Sequence, residues 1–473
     1  MTLETILTTV AIVSAIVALI YLFAVNTSYF TITAIAIRQL RRQIALETYE
    51  PVGALQANRF LPGVAIVVPA YNEEKVILDS VSSLLALEYP NQEVVVVNDG
   101  STDDTLAVLL DRFDLRRVDA EYPVSLNCEP VRNIYRAVDE DLVVIDKENA
   151  GKADALNAGL FFTDQPLFCA VDADSIIERG GLQRVVEPFL RHPDEMVATG
   201  GSIRIANGSS FKDGELQSVS LPRSSLLRFQ VIEYLRAFLL GRIGLSNLRS
   251  LLIISGAFGL FRTETLREIG GYDTESITED MELVVRLHRY LIETNRKNAV
   301  TFLPQPVAWT EAPDSLSVLS RQRRRWFRGM IDTLVKHRGA MGRRRYGVIG
   351  LFALPFFLFI ETIGPLVEGA GYVLIPIFFL AGLLDFPIFL SFIVVAIGLG
   401  ALVSGLAVVG ELITYRRYEK PQEAAILLLY SVLESFLYRP WRAFVSWRGL
   451  GEYLAGDRSW GRMQRTGFDN RNE

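Results

Sequence analysis

The sequence predicts an α/β fold in which a mostly parallel sheet is flanked by helices and lies between N- and C-terminal transmembrane helices. Two observations indicate this arrangement. Short Val- and Ile-rich runs alternate with helix-like stretches between residues 64 and 174, and such runs are typical of strands buried on both faces of a parallel sheet. Long apolar stretches also occur towards both ends of the chain, and each is long enough to cross a bilayer.

The composition favours a membrane protein and excludes several other classes. Half of the 473 residues are hydrophobic, 22% are charged and the mean hydropathy is +0.26, whereas soluble and disordered chains are usually more polar. The 48 basic and 54 acidic side chains give a net charge of −6, so no basic excess is available to bind nucleic acid. Cys128 and Cys169, with three histidines, are too few for a disulfide framework or a structural zinc cluster.

We predict that residues 1–42 contain an uncleaved membrane helix. Residues 6–37 carry no charged side chain, and about 20 helical residues suffice to cross the hydrocarbon core. A cleaved signal peptide is the alternative, but the basic region of such peptides is missing and the apolar run is too long. Arg38, Arg41 and Arg42 follow directly, so the positive-inside rule places the N-terminus outside and the next domain in the cytoplasm.

Residues 43–314 are predicted to form one soluble domain. Its predicted strands are the apolar runs at 64–70, 94–100, 142–146 and 167–174, joined by right-handed crossovers. Ligands of such sheets bind outside the carboxyl ends of the strands. Because acidic residues of this domain collect at those ends, we expect the functional site there.

Polar residues follow the first two predicted strands. Tyr71 and Glu73 follow the first, and an aromatic ring beside a carboxylate can stack a base and accept hydrogen bonds from ribose, although helix capping is the alternative. Asp99 follows the second strand, and Ser101 or Thr102 is placed to cap the next helix. Capping accounts for Ser101 but not for Asp99.

Charged residues also follow the later strands. Lys152 comes after Gly151 at a predicted helix start, where backbone N–H groups attract anions; a solvated lysine is the alternative. Asp172 and Asp174 lie two positions apart after a buried run and would project to the same side of an extended backbone. Two such carboxylates repel unless a cation or proton lies between them, so they predict a Mg²⁺ or Mn²⁺ site, with solvated turn aspartates as the alternative.

A predicted helix and an arginine cluster follow. Glu279 and Asp280 occupy the first turn of a helix that Thr278 is placed to cap, where acids also stabilise the helix dipole. Five arginines surround Trp326 in the segment 320–330. Arginine and tryptophan can hold a pyrophosphate and cover a sugar, but basic residues beside a membrane can also simply follow the positive-inside rule.

The remainder of the chain is predicted to be a membrane region. Its predicted divisions are the arginine segment with interfacial amphipathic helices at 315–346, a transmembrane region at 347–440 and a basic cytosolic tail at 441–473. Basic clusters on both sides of the apolar stretches 348–384 and 387–414 indicate two crossings. The stretch 424–437 contains Glu434 and is interpreted as re-entrant or interfacial, with a further crossing as the alternative.

Six short motifs occur in order along the chain: PAYNE, NDGSTD, GKADALN, DAD, TED and QRRRW. This ordered set resembles the membrane-embedded, processive family 2 glycosyltransferases, which include hyaluronan, chitin-oligosaccharide, poly-N-acetylglucosamine and cellulose synthases. The resemblance implies a GT-A-like fold. It also implies an inverting transfer of a sugar, GlcNAc or glucose, from a UDP-sugar to the growing end of a β-linked polysaccharide, coupled to export through the membrane helices.

The resemblance further implies a role for each motif residue. Asp280 matches the catalytic base, with Glu279 beside it as the second candidate, and Asp174 matches the metal ligand on the UDP diphosphate. The residues that match contacts to the donor uridine, diphosphate or sugar are Tyr71, Glu73, Asp99, Lys152, Asp172, Gln322, Arg325 and Trp326. The segments 230–234 and 255–262 resemble those that form the acceptor site.

The implied partners are a UDP-sugar, a glycan or lipid acceptor, membrane lipids, Mg²⁺ or Mn²⁺, and export subunits. The implied location is the cell membrane, with several crossings and a cytoplasmic catalytic domain. A non-processive transferase that adds one sugar to a lipid carrier or to diacylglycerol is the nearest alternative, because some glycolipid synthases share these motifs. A non-catalytic nucleotide-sugar sensor or export partner is disfavoured by the intact Asp174, Asp280 and Trp326.

Two acidic residues lie within the predicted membrane region, where charged side chains are rare. Glu361 and Glu368 are seven positions apart and share one helix face. Intramembrane acids normally face a bundle interior or a water-filled path. We therefore hypothesise that both acids line a conduit for the glycan, with an interfacial helix and exposed acids as the alternative.

Overall fold

A computed structural model describes residues 2–47, 61–119, 128–212, 215–297, 299–418 and 420–457. The chain forms two compact units, each assembled from separate stretches. The sheet unit comprises the described residues of Gln43–Ser220 and Leu251–Ala312, and the helical unit comprises the described residues of Met1–Arg42, Leu221–Ser250 and Pro313–Gly461. The stretch Leu221–Ser250, which we included in the predicted soluble domain, therefore belongs to the helical unit.

The strands of the described residues all belong to the sheet unit. They are β1 (Val64–Ala70), β2 (Gln92–Asp99), β3 (Arg116–Val118), β4 (Val131–Arg136), β5 (Leu142–Lys147), β6 (Leu167–Val171), β7 (Ser175–Ile177), β8 (Met196–Ile205), β9 (Ser210–Lys212), β10 (Glu215–Ser218), β11 (Phe258–Arg262) and β12 (Ala299–Thr310).

The α-helices are divided between the two units. They are α1 (Leu3–Glu47), α2 (Ile77–Leu85), α3 (Thr105–Arg112), α4 (Lys152–Phe162), α5 (Gly181–Arg191), α6 (Ser225–Glu233), α7 (Arg242–Asn247), α8 (Thr263–Glu268), α9 (Glu279–Glu293), α10 (Leu316–Lys336), α11 (Leu354–Phe356), α12 (Gly364–Leu380), α13 (Phe386–Ile393), α14 (Leu399–Thr414), α15 (Pro421–Leu433) and α16 (Arg439–Leu454). Short π-helical segments join several helices of the helical unit, at Tyr234–Gly241, Ile349–Ala353, Phe357–Ile363, Val394–Gly398 and Glu434–Tyr438.

The main sheet is mixed, with a parallel centre. The strand order is β3-β4-β5-β2-β1-β6-β11-β8-β12-β7. Strands β5, β2, β1 and β6 run parallel, as do β8 and β12, whereas β11 is antiparallel to both of its neighbours and the two edges are also antiparallel. The prediction of an α/β fold with a parallel sheet is confirmed for the four apolar runs, and β11 and the edge strands make the sheet as a whole mixed.

The core of the sheet unit explains why the Val- and Ile-rich runs become strands. The central residues of β1, β2, β5 and β6 are almost fully buried, so each strand is covered on both faces. Helix α4 lies close against β1, because a Cβ atom added to Gly159 would lie 2.4 Å from a methyl carbon of Val67. The register then aligns the strand ends: Ala70 pairs with Asn98, and Asp99 pairs with Lys147.

The helical unit contains the predicted membrane segments. Three helices are long and apolar enough to cross a membrane, Leu3–Arg42, Ile349–Leu380 and Phe386–Thr414, among the residues that the structure describes. Residues from all three helices pack in one apolar cluster; its buried members are Ala11, Ala15, Leu22, Ile375, Leu384, Phe392 and Ala396. The three predicted apolar segments are thus found as helices of spanning length.

The chain beyond these helices is also helical. The stretch 424–437 lies within α15 and the π-helical segment that continues into α16, and it is not one of the three candidate spans. Its interpretation as re-entrant or interfacial stays a prediction. The predicted basic tail is helical as far as Leu454, and Trp460 lies outside the described residues.

Candidate active site

The predicted site residues of the sheet unit follow the carboxyl ends of parallel strands. Tyr71 and Glu73 follow β1, Asp99 ends β2, Lys152 begins α4 after β5, and Asp172 follows β6. Because these four strands are parallel neighbours, their carboxyl ends share one edge of the sheet. The expected location of the site is therefore where the fold brings these residues together.

The turns after β1 and β2 are hydrogen-bonded to one another through Asn72. This residue adopts φ 58°, its backbone N–H donates to Ser101 Oγ at 3.0 Å, and its Oδ1 accepts from the Thr102 N–H at 2.8 Å. The predicted capping role of Ser101 and Thr102 is wrong, because α3 begins only at Thr105 and Asp103 accepts the Thr105 N–H. Both residues instead connect the two turns.

This arrangement leaves the Tyr71 ring accessible. Tyr71 as a whole is 49% exposed. The residues that follow it are held in place because the backbone N–H of Glu73 donates to Thr105 Oγ1 at 2.9 Å. An aromatic face fixed at a rigid strand end can stack a planar ring such as a nucleobase. The geometry thus fits the role predicted for Tyr71, which stays a prediction.

Asp99 is buried, and its carboxylate accepts hydrogen bonds from four groups. Oδ1 accepts from the Lys147 ammonium at 2.8 Å and the Ala150 N–H at 3.0 Å. Oδ2 accepts from the Asn149 amide at 3.1 Å and the Gly151 N–H at 2.7 Å. Asp99 therefore holds the loop that follows β5, a function that its position in the sequence did not reveal.

Lys152 connects several acids of the site. Its ammonium lies 2.6 Å from Asp172 Oδ1 and 3.0 Å from Glu279 Oε1. Burial lowers the pKa of Lys152, but the charges of Asp172, Glu279 and Asp280 raise it above its ordinary value, so the side chain carries a positive charge at neutral pH. A Cβ atom added to Gly256 would lie 2.7 Å from the ammonium, so the glycine leaves room for this arrangement.

Asp280 differs from its neighbour in exposure and in partners. Glu279 is buried and faces Lys152, whereas Asp280 is partly exposed. The Asp280 carboxylate accepts the Gly256 N–H at 3.2 Å and the Met281 N–H at 2.8 Å. Burial, followed by the charge of Glu279, raises the pKa of Asp280 above that of an ordinary aspartate. A partly exposed carboxylate with a raised pKa can act as a general base.

The local structure supports only part of the reasoning that predicted a metal site at Asp172 and Asp174. Residues 172–174 lie in a turn between β6 and β7, so the extended-backbone argument for convergence does not apply there. Asp172 is partly exposed and paired with Lys152, and Asp174 is buried. No group of three or more metal-binding side chains lies together among the described residues. A cation here would take one or two carboxylates and complete its ligands with phosphate oxygens and water, as Mg²⁺ commonly does.

The QxxRW residues belong to the helical unit. Helix α10 begins after Ser315, whose side chain accepts the Val318 N–H, and it carries Gln322, Arg325 and Trp326. Their predicted contacts with the donor stay a prediction.

The Trp326 ring is contacted by Arg323, which the motif did not predict. The Arg323 guanidinium carbon lies 4.1 Å from the centre of the Trp326 ring. Glu233 holds that guanidinium at 2.7 Å and accepts the Tyr438 hydroxyl at 2.8 Å. Glu233 belongs to a segment that we assigned to the acceptor site, and here it pairs with the middle of the arginine motif.

Two known protein families match parts of this chain. The profile described as Glycosyltransferase like family 2 matches residues 62–329, more than half of the chain. A profile described as Chitin synthase matches residues 278–464. The chain therefore belongs to glycosyltransferase family 2, as the six motifs predicted.

Curated relatives narrow the comparison within the family. The poly-beta-1,6-N-acetyl-D-glucosamine synthase of Staphylococcus epidermidis is 30% identical over 277 residues, which cover 58% of this chain and 56% of the relative. The enzyme of the same name from Staphylococcus aureus (strain COL) is 30% identical over 279 residues, with the same shares of both chains. The chain thus matches slightly more than half of the length of these relatives.

Solved structures show more distant similarity. The mannosyltransferase PcManGT from Pyrobaculum calidifontis, in complex with GDP-Man and Mn²⁺, has a TM-score of 0.48 and 16% identity, covering 92% of this chain and 99% of that one. Residues 1–349 of S. aureus TarS, in complex with UDP-GlcNAc, give a TM-score of 0.39 and 16% identity, covering 83% of this chain and 92% of that one.

Proposed function

We propose that the protein is an inverting glycosyltransferase that moves N-acetylglucosamine from UDP-GlcNAc to the growing end of a β-linked polysaccharide. The observation that carries the proposal is the partly exposed Asp280 carboxylate beside the Lys152 group, in a chain of glycosyltransferase family 2. The names of the curated relatives favour GlcNAc over glucose.

In the proposed reaction Asp280 is the general base. Its carboxylate takes the proton of an acceptor hydroxyl while that oxygen bonds to C1 of the donor sugar, and the bond between C1 and the UDP oxygen breaks. UDP leaves with the electron pair of that bond. A carboxylate so positioned contributes about 10²–10⁴-fold to the rate. The Gly256 and Met281 N–H groups orient the base.

Lys152 and a divalent cation would stabilise the leaving diphosphate. Asp174, with Asp172 beside it, would hold Mg²⁺ or Mn²⁺, which would offset the charge of the diphosphate. The Lys152 ammonium lies next to Asp172 and supplies a fixed positive charge at the same place. Tyr71 and Glu73 would contact the uridine.

We further propose a multi-pass membrane location with the sheet unit in the cytoplasm. The three candidate spans and the arginines after the first of them support it. Export of the product would use the helical unit, in which Glu368 accepts the Tyr372 hydroxyl at 2.7 Å and lies 4.0 Å from Arg439. Glu361 and Glu368 are both partly exposed, and acids within a membrane normally face the interior of a helix bundle or a water-filled path, which supports the conduit hypothesis for these two residues.

The test is an assay of product size. Membranes containing the full chain are supplied with radiolabelled UDP-GlcNAc, and with UDP-glucose in parallel, in the presence of Mg²⁺ or Mn²⁺. We expect a ladder of oligomers with UDP-GlcNAc, its loss on chelation with EDTA, and a rate reduced about 10²–10⁴-fold in Asp280→Asn.

The matched control is Asp111→Asn, which changes an exposed aspartate on α3 and should leave the ladder intact. A single glycolipid product would contradict polymer synthesis and favour transfer to a lipid acceptor. Wild-type rates in Asp280→Asn would refute the assignment of the base.

A further inference from the structure

One arginine of helix α10 contacts two of the named residues of QxxRW, Gln322 and Trp326, which we call the signature pair. The Arg323 guanidinium carbon lies 4.1 Å from the centre of the Trp326 ring, and Arg323 Nη1 donates a hydrogen bond to Gln322 Oε1. Arg323 is buried, whereas both members of the signature pair are partly exposed. The signature pair is therefore accessible to a ligand, while the side chain that contacts both of its members is enclosed by the protein.

Glu233 of α6 holds this guanidinium. Its Oε2 accepts hydrogen bonds from Arg323 Nη2 at 2.7 Å and from Arg323 Nε at 3.2 Å, and also from the Tyr438 hydroxyl at 2.8 Å. Burial acts to raise the pKa of Glu233, but the charges of Arg323 and Arg442 outweigh it and lower the pKa to about 2. Glu233 is therefore ionised at neutral pH and forms a buried, charged pair with Arg323.

This bonding pattern uses the edges of the guanidinium and leaves its face for the indole. The N–H groups of arginine lie in one plane, so the hydrogen bonds to Glu233 and Gln322 constrain the orientation of that plane. Phe238 contacts the same indole, with its ring centre 5.9 Å from that of Trp326. Trp326 is thus contacted by two side chains of the helical unit and still has exposed surface.

We propose that Arg323 is a positioning residue, which is oriented by Glu233 and holds the signature pair in the rotamers that bind the substrate. Side chains that are ordered before binding lose less entropy when the ligand arrives. The competing explanation is an ion pair that only joins α6 to α10. The inference rests on the proposed function, because it supposes that the signature pair contacts the sugar donor.

Arg323→Lys separates the two explanations. Lysine keeps a positive charge beside Glu233, so the ion pair between α6 and α10 is retained. Its ammonium lacks the planar fork of arginine, so it cannot bind Gln322 and cover an indole at the same time. We therefore expect the Tm of the full chain in detergent to change little, while the signature pair is no longer held.

Steady-state kinetics of the full chain with UDP-GlcNAc give the first readout. Arg323→Lys should reduce kcat/KM by about 10–100-fold, mainly through a higher KM for the donor, because small displacements of binding groups are costly. In a Trp326→Phe background the same substitution should cost less, because part of the effect of Arg323 would act through an indole that is no longer present.

The matched control is Arg442→Lys, which changes the other arginine beside Glu233, 3.6 Å from Oε1, and should leave both kinetic constants close to those of the wild type. Wild-type constants in Arg323→Lys would overturn the proposal. An equal loss in Arg442→Lys would also overturn it, because the loss would then come from the surroundings of Glu233 rather than from contact with the signature pair. So would a loss of the same size with and without Trp326→Phe.

Fluorine NMR provides a readout that needs no substrate. The full chain is labelled with 5-fluorotryptophan and studied in detergent, where the Trp326 resonance is identified by its loss in Trp326→Phe. This resonance should move in Arg323→Lys and stay in place in Arg442→Lys. An unmoved resonance in Arg323→Lys would overturn the proposal even if the kinetic constants change.

The two readouts also separate this inference from the proposed function. If the resonance moves as expected but the wild type does not use UDP-GlcNAc, the proposed function fails and the contact between Arg323 and the indole is retained. If Arg323→Lys does not fold, Glu233→Asp serves in both tests, because the shorter acid keeps its charge and draws the guanidinium away from the indole. A wild-type resonance and wild-type constants in Glu233→Asp would then overturn the proposal.

Discussion

At the scale of single residues, the ionisation of the proposed base depends on its charged neighbours. The negative charge of Glu279 raises the pKa of Asp280, whereas the positive charge of Lys152 lowers it. A general base works only when deprotonated, so a raised pKa moves the acid limb of the rate profile to higher pH. Glu279 therefore influences the chemistry although it faces Lys152.

Glu279→Gln should move the acid limb of the kcat/KM profile to lower pH by about one unit, because loss of a nearby negative charge lowers the pKa of Asp280. Lys152 would then no longer be paired with Glu279, and its positive charge also lowers the pKa of Asp280. The measurement is the initial rate with UDP-GlcNAc across the acid range. The control Glu275→Gln, an exposed acid nearby, should leave the profile in place; an acid limb that stays or moves to higher pH in Glu279→Gln would contradict the expectation.

At the scale of elements, an ion pair outside the named residues of QxxRW connects α10 to α6. Arg323 lies between the glutamine and tryptophan of QxxRW, is buried, and pairs with Glu233 of α6. Arg442 of α16 lies 3.6 Å from the other carboxylate oxygen of Glu233. One acid thus connects three helices of the helical unit, α6, α10 and α16.

Glu233→Gln should destabilise the protein by about 3 kcal/mol or more, because it leaves a buried arginine without its counter-charge. The measurement is the Tm of the full chain in detergent, which should fall by several degrees. Glu187→Gln, which breaks a partly exposed pair with Arg191 on α5, should change Tm little. An equal Tm in Glu233→Gln and the wild type would show that Glu233 does not stabilise this helix contact.

At the scale of the whole molecule, the two units are interleaved along the chain. The helical unit takes its residues from the N-terminal stretch, from Leu221–Ser250 and from Pro313–Gly461. The chain therefore leaves the sheet unit after β10, forms α6 and α7, and returns to form β11.

Labelling of single cysteines tests the proposed orientation. In a Cys128→Ser background, with Cys169 fully buried, a cysteine introduced by Thr2→Cys should react with an impermeant maleimide in intact cells. A cysteine introduced by Asp111→Cys should react only after the cells are permeabilised, because the positive-inside rule places the sheet unit in the cytoplasm. Labelling of Asp111→Cys in intact cells would contradict the proposed orientation and place the sheet unit outside the cell.

Local patterns predicted much of the fold and the identity of the family. The strands VAIVVPA and VVVVND and the apolar helices are found where their hydrophobic patterns predict them. The ordered motifs predicted a glycosyltransferase of family 2, and the family comparison confirms it. Capping of α3 by Ser101 was predicted wrongly, because a hydroxyl at a turn can accept from any N–H that the fold brings close.

The sequence by itself determines where strands and membrane-length helices form, because burial of apolar side chains follows a short repeat along the chain. It also determines which chemical groups are present and in what order. Only the tertiary structure decides which charges meet: Lys147 with Asp99, Lys152 with Glu279, and Arg323 with Glu233. Those pairs join residues from distant parts of the chain, and the energy of an ion pair depends on separation in space and on burial rather than on separation in sequence.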